Sequence, residues 1–234
     1  MPVQQKQNIK GFTLLELLVI VAITLIVAGI GYPEFNKWNR DRLIRVQAEK
    51  ITNLFTTATT QVERGAYPYV RVEFVMGTSP SQIIVKGISQ DLLSKKINGP
   101  TDPSCSVADF TNTSAYQVDE ITSHTLDDKT HIPALAPKAG QTSVGSGGAI
   151  CFSKGGKYFK QHGSADLQGN IAFDNNSSAA TNNYVTVCHL SSSKCDAVSK
   201  SFDDDYPAYL VRYSRFGLIT KYKWNIKNSD WSSQ

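Results

Sequence analysis

The distribution of apolar and polar residues changes character twice along the chain. From Phe12 to Gly31 the run "FTLLELLVIVAITLIVAGIG" is almost unbroken, with only Thr13, Glu16 and Thr24 as polar side chains. About 20 residues at ~1.5 Å each cover ~30 Å, the thickness of a bilayer's hydrocarbon core. Residues 34–64 then hold no glycine or proline, and Leu43, Val46, Ile51, Leu54, Ala58 and Val62 recur at mostly helical intervals. Together the stretches predict one long helix from Phe12 to Arg64, apolar all round at first and amphipathic later. Gly29, Gly31 and Pro33 fall at the junction and predict a helix break there, either a static kink or a segment able to unwind.

After Gly65 the period becomes two. "YVRVEFVM" sets Val70, Val72 and Phe74 against Arg71 and Glu73, and "SQIIVKGI" follows a Gly-Thr-Ser-Pro turn. Further strands are expected at "AICFSK", "KYFKQ", "NIAFD", "YVTVCHL", "AYLVRYS" and "LITKYKW", the last two joined by "RFG" with Gly217 free to take positive φ. Residues 90–147 are rich in Pro, Gly, Ser, Thr and Asp and predict a surface excursion without long periodic elements. The expected fold class is α+β: a long N-terminal helix packed on a mainly antiparallel β-sheet domain.

With 41% hydrophobic and 19% charged residues the chain is globular, and a net charge of +4 does not point to a polyanion partner. All four cysteines, Cys105, Cys151, Cys188 and Cys195, lie in the second half and read as two disulfides of an oxidising compartment. Three pairings are open; "CHLSSSKC" favours Cys188 with Cys195, which leaves Cys105 with Cys151. A metal site using His189 has no CxxC pair behind it. His124, His131, His162 and His189 are scattered, "SVGSGGA" lacks the spacing of a nucleophile elbow, and "GSGG" without a following lysine is no phosphate loop. The expectation is a protein that is not an enzyme and needs no cofactor or metal.

The remaining chemistry sits in two places. Near the C-terminus Arg212, Arg215, Lys221, Lys223 and Lys227 interleave with Tyr213, Phe216, Tyr222 and Trp224, a pattern that could grip DNA by phosphate pairing and stacking. Strand alternation offers another reading, with aromatics in the core and lysines in water, and "DDD" at 203–205 opposes a polyanion. The second place is Glu16. A mid-membrane acid costs on the order of 3 kcal/mol on insertion scales and calls for a partner. Neither a cleaved secretory signal nor a plain anchor explains it.

"KGFTLLELLV" resembles the prepilin signature of bacterial type IV pilins and type II secretion pseudopilins: a short basic leader ending in Gly11, then Phe12, Thr13, Leu14, Leu15 and Glu16. The resemblance implies cleavage between Gly11 and Phe12 by a membrane prepilin peptidase, N-methylation of Phe12, and pairing of Glu16 with the amine of a neighbouring subunit during assembly. Burial of either charge would then be offset by the other. It implies four segments: a cleaved leader (1–11), a transmembrane and filament-core helix (12–32), an amphipathic helix entering the head (33–64) and a β-rich head (65–234). The implied partners are other pilin or pseudopilin subunits, the peptidase, an inner-membrane assembly platform and the lipid bilayer, with DNA as an alternative. Lys37, Arg40, Arg42 and Arg45 follow the span, so a count of positive charges does not orient it. The resemblance and the cysteines place the head outside the cytoplasm, first on the inner membrane and then in a filament.

Only the first ~50 residues carry this resemblance. The ending departs from a major pilin, whose last cysteine pair brackets a loop near the C-terminus; here a hairpin follows Cys195. "YLVRYSRFGLITKYKW" loosely resembles minor pilins and pseudopilins that prime filaments. The expected function is a structural subunit of the minor kind, with a secretion pseudopilin or a DNA-binding minor pilin as alternatives.

Overall fold

A computed structural model describes residues 12–75, 81–98, 105, 110, 118–132, 148–156, 160–162, 183–197, 200–214 and 216–234. The chain divides into two compact units, Met1–Asn39 and Arg40–Gln234.

Helix α1 runs from Leu14 to Glu63. Thr13 caps its start: the Thr13 Oγ1 accepts the Glu16 backbone N–H at 3.2 Å, satisfying one of the free donors of the first turn. Gly65 stops it. With φ at +76°, Gly65 turns the chain so that the Ala66 N–H reaches the Gln61 carbonyl and the Gly65 N–H reaches that of Val62, both at 3.1 Å. These are the two bonds of a glycine-terminated Schellman cap.

Among the described residues of the second unit every strand pairing is antiparallel. The first sheet contains β1 (Tyr69–Val75), β2 (Gln82–Ile88), β3 (Asp119–Thr125), β5 (Ala149–Ser153) and β6 (Lys160–His162), in the order β3-β2-β1-β5-β6. The second contains β4 (Thr130–His131), β7 (Asn183–His189), β10 (Ala208–Tyr213), β11 (Ile219–Asn225) and β12 (Asp230–Ser233), in the order β12-β11-β10-β7-β4. A short ribbon joins β8 (Cys195–Asp196) to β9 (Ser201–Phe202).

The two sheets share one core, and the second half of α1 fills it. Ile44, Ala48, Ile51, Phe55, Ala58 and Val62, spaced by alternating steps of four and three, are buried against Val70, Val72 and Phe74 of β1 and against Val185, Val187, Tyr209, Val211 and Tyr213 of the other sheet. Phe55 sits at the seam. Its ring lies 6.1 Å from Phe74 and from Phe152 and 5.0 Å from Tyr213, touching both sheets. Of the stripe read in the sequence, Ile51, Leu54, Ala58 and Val62 are buried and Leu43 packs at the core's edge; Val46 points outward, and Ile44, Ala48 and Phe55 join the core.

Each sheet also carries a smaller outer layer. Behind β1, Tyr69, Ile88, Ala149 and Cys151 pack with Cys105, Phe110, Val118 and with Leu92 and Leu93 of a second helix, α2 (Gln90–Ile97). The Cys105–Cys151 disulfide pins this layer to β5. Arg71, on the same face, is buried beside Glu73, whose carboxylate also meets Lys86; the Arg71 contact is short at 2.9 Å but poorly aligned for a hydrogen bond, so charge attraction holds it. On the other sheet Tyr184, Cys188 and Leu210 pack with Phe202, Trp224 and Trp231, and the Cys188–Cys195 disulfide ties the β8–β9 ribbon to β7.

Residues 90–147 therefore contain more than a surface excursion: α2, β3 and β4 lie there, with Val118, Leu126 and Ile132 buried. The strand expected at "NIAFD" and most of "KYFKQ" lie outside the described residues.

Candidate functional site

The first unit offers an apolar surface with one charge on it. Leu14, Leu15, Leu17, Leu18, Ile20 and Ile26 are among a continuous set of exposed aliphatic side chains around α1, from 45% to 84% accessible between Leu14 and Val27. Among the described residues no single helix is long and apolar enough to cross a membrane; the pair Leu14–Gly29 and Tyr32–Glu63, bent at residues 30 and 31, passes that test together. Phe12 is exposed immediately ahead of the helix, and Glu16 is exposed within its first turn. Gly11, the expected cleavage position, lies outside the described residues.

Thr13 and Glu16 stand at the cap and third positions of the helix, the Thr-x-x-Glu arrangement of a capping box. Glu16 is also the acidic residue of the helix's first turn, at the positive end of the helix dipole. The spacing was readable in the sequence. The bond observed in it is the one from the Glu16 backbone N–H to Thr13. Gly29 and Pro33 lie within α1 on either side of the bend, and nothing crowds Gly29.

In the second unit Arg212 and the pair Lys221 and Lys223 divide between the two faces of the sheet. Val211 and Tyr213 face the core, so Arg212, paired in register with Thr220 and Tyr184, points to the opposite side of the sheet. Lys221, opposite Val211, faces α1 and meets Glu49 at 2.8 Å; Lys223 meets Asp41 at 2.7 Å. Tyr209 donates to the same Asp41 oxygen at 3.1 Å, and burial beside that carboxylate raises the phenol strongly. Glu49 is lowered by its hydrogen bonds from Lys221 and Arg45. Phe216 is exposed at the hairpin tip, where Gly217 takes φ +83° against Thr59; Trp224 is buried in the outer layer; Arg215 lies outside the described residues. Tyr213 and Trp224 are buried, as strand alternation expects, and Lys227 is exposed, whereas Lys221 and Lys223 fasten β11 to α1.

His189 is buried and stacked on Tyr206 at 4.9 Å, with the Arg40 guanidinium 4.9 Å from the same ring. Its Nδ1 accepts the Ser191 N–H at 3.1 Å, which puts the proton of the neutral ring on Nε2. Desolvation and the nearby Arg40 and Lys129 hold it below the ordinary histidine range. Among the described residues, no three His, Cys, Asp or Glu side chains converge as metal ligands.

Neither the curated proteins nor the solved structures contain a match to this chain. A family match exists at the N-terminus, where residues 6–32 fit the prokaryotic N-terminal methylation motif. That range includes Gly11, Phe12 and Glu16 and ends one residue before Pro33. Residues 6–32 thus carry the prepilin signature found in type IV pilins and pseudopilins.

Proposed function

We propose that the chain is a subunit, of the minor filament-initiating kind, of a type IV pilus or a related type II secretion pseudopilus. The observation that carries this reading is the exposed apolar helix with a single acid one turn from Phe12. So large an apolar surface needs lipid or neighbouring helices around it. In this reading the leader 1–11 is removed between Gly11 and Phe12, and Phe12 is methylated on its new amine. Residues 12–32 anchor in the inner membrane and later pack in a filament core, 33–64 continue into the head, and 65–234 form the head outside the cytoplasm. Glu16 meets the Phe12 amine of the next subunit. The hairpin β10–β11 and strand β12 after the last cysteine support the minor kind over a major pilin. DNA is not proposed as a partner, since Lys221 and Lys223 are engaged by Glu49 and Asp41.

The capping geometry shapes the test. Glutamine serves at the third helix position as glutamate does, so Glu16→Gln keeps the cap and removes the charge. The variant should lose its leader and enter the membrane normally but disappear from the sheared filament fraction, while Gly11→Val should keep its leader by mass spectrometry. Normal incorporation of Glu16→Gln would refute the charge pairing, and a processed Gly11→Val would refute the prepilin reading itself.

A further inference from the structure

Three exposed aromatic side chains follow the apolar run directly: Tyr32 is 71% accessible, Phe35 60% and Trp38 57%. The Phe35 and Trp38 rings touch, with centroids 5.9 Å apart. Three-residue steps on a helix spread the rings over about a third of its circumference and ~9 Å of its length, close to the depth of one headgroup layer. Tyrosine and tryptophan favour that layer because an apolar ring and a polar edge are both satisfied there.

The backbone gives the same level independently. Pro33 lacks an N–H, so the Gly29 carbonyl loses its helical partner. In hydrocarbon an unsatisfied carbonyl costs several kcal/mol, whereas at the interface water reaches it. Counting back ~30 Å from Gly31 brings the chain to Phe12, so the apolar run just fills the core when Tyr32 stands at its edge. Charge does not drive the placement. Glu34 and Lys37, both exposed among the rings, cancel.

We propose that Tyr32, Phe35 and Trp38 form a collar that binds the glycerol and headgroup layer of the phospholipid bilayer and fixes how deeply the helix sits before it enters a filament. This rests on the reading of residues 12–32 as a membrane anchor. The collar is a depth gauge, with zwitterionic lipid sufficient as its partner.

Trp38 supplies its own probe. Of the three tryptophans, Trp224 and Trp231 are buried in the head. The full chain would be reconstituted in phosphatidylcholine vesicles carrying bromine either near the glycerol backbone or near the chain ends. Flotation reports anchoring, and fluorescence reports depth. The collar requires co-flotation with vesicles, quenching about twofold or more stronger with the shallow bromine, loss of that quenching in Trp38→Phe, and no change on adding salt. Flotation without quenching of Trp38, or stronger quenching by the deep bromine, overturns the collar and leaves the anchor standing. Failure to float overturns the anchor, and the collar with it.

Discussion

Phe55→Ala removes the α1 ring that touches both sheets. The side chain is fully buried, and its centroid contacts with Phe74, Phe152 and Tyr213 fall between 5.0 and 6.1 Å. A buried Phe→Ala change costs ~3–5 kcal/mol, and three ring contacts worth ~0.5–1.5 kcal/mol each put this site at the upper end. For a domain of this size, ~2–4 °C per kcal/mol converts ~4–5 kcal/mol into a fall in Tm of about 8–20 °C. Urea unfolding of the full chain in detergent measures it, with Trp224 and Trp231 reporting the second sheet and hydrogen exchange of the β1 amides the first. Both probes should shift together, whereas Val46→Ala on the exposed side should stay within ~0.5 kcal/mol. A loss below ~1.5 kcal/mol, or a shift confined to one sheet, would refute the shared core.

The two disulfides should contribute unequally. Loops of 46 and 7 residues correspond to ~4 and ~2 kcal/mol of lost unfolded-state entropy, so paired serine replacements at Cys105 and Cys151 should lower the urea midpoint more than those at Cys188 and Cys195. Acid should weaken the head earlier than carboxylates alone would cause. His124, His131 and His189 are all lowered, chiefly by desolvation, so the unfolded chain takes up protons that the fold refuses. Stability is then complete above ~6.5 and declines as pH falls through the depressed folded values. Urea midpoints that stay flat just below neutrality would contradict this.

Much of the molecule was legible in local pattern. The long helix, its glycine-terminated end and strands β1, β2, β5, β7, β10 and β11 follow from period and turn chemistry alone. What escaped was set by tertiary contact. Strand β3, "DEITSHT", is almost all polar and pairs as a neighbour of β2 with little buried surface of its own. Helix α2 is eight residues, too short to announce a period, and is held by Leu92 and Leu93 against Tyr69 and the Cys105 layer. The roles of Lys221 and Lys223 depend on Glu49 and Asp41, more than 170 residues away. No window along the sequence contains both partners. The signature at Phe12 and Glu16 was legible for the opposite reason: it is a short local pattern.

The buried stripe of α1 carries a consequence for the order of events in biosynthesis. Ile44 to Val62 leave the ribosome before any strand that covers them, and Tyr213 is among the last residues of the cover. Until then the stripe and two half-sheets have no common interior, and contacts of such long sequence separation form slowly. Closure of the head is therefore an act of the nearly finished chain. Before that point, the apolar face of the helix waits for its last strands.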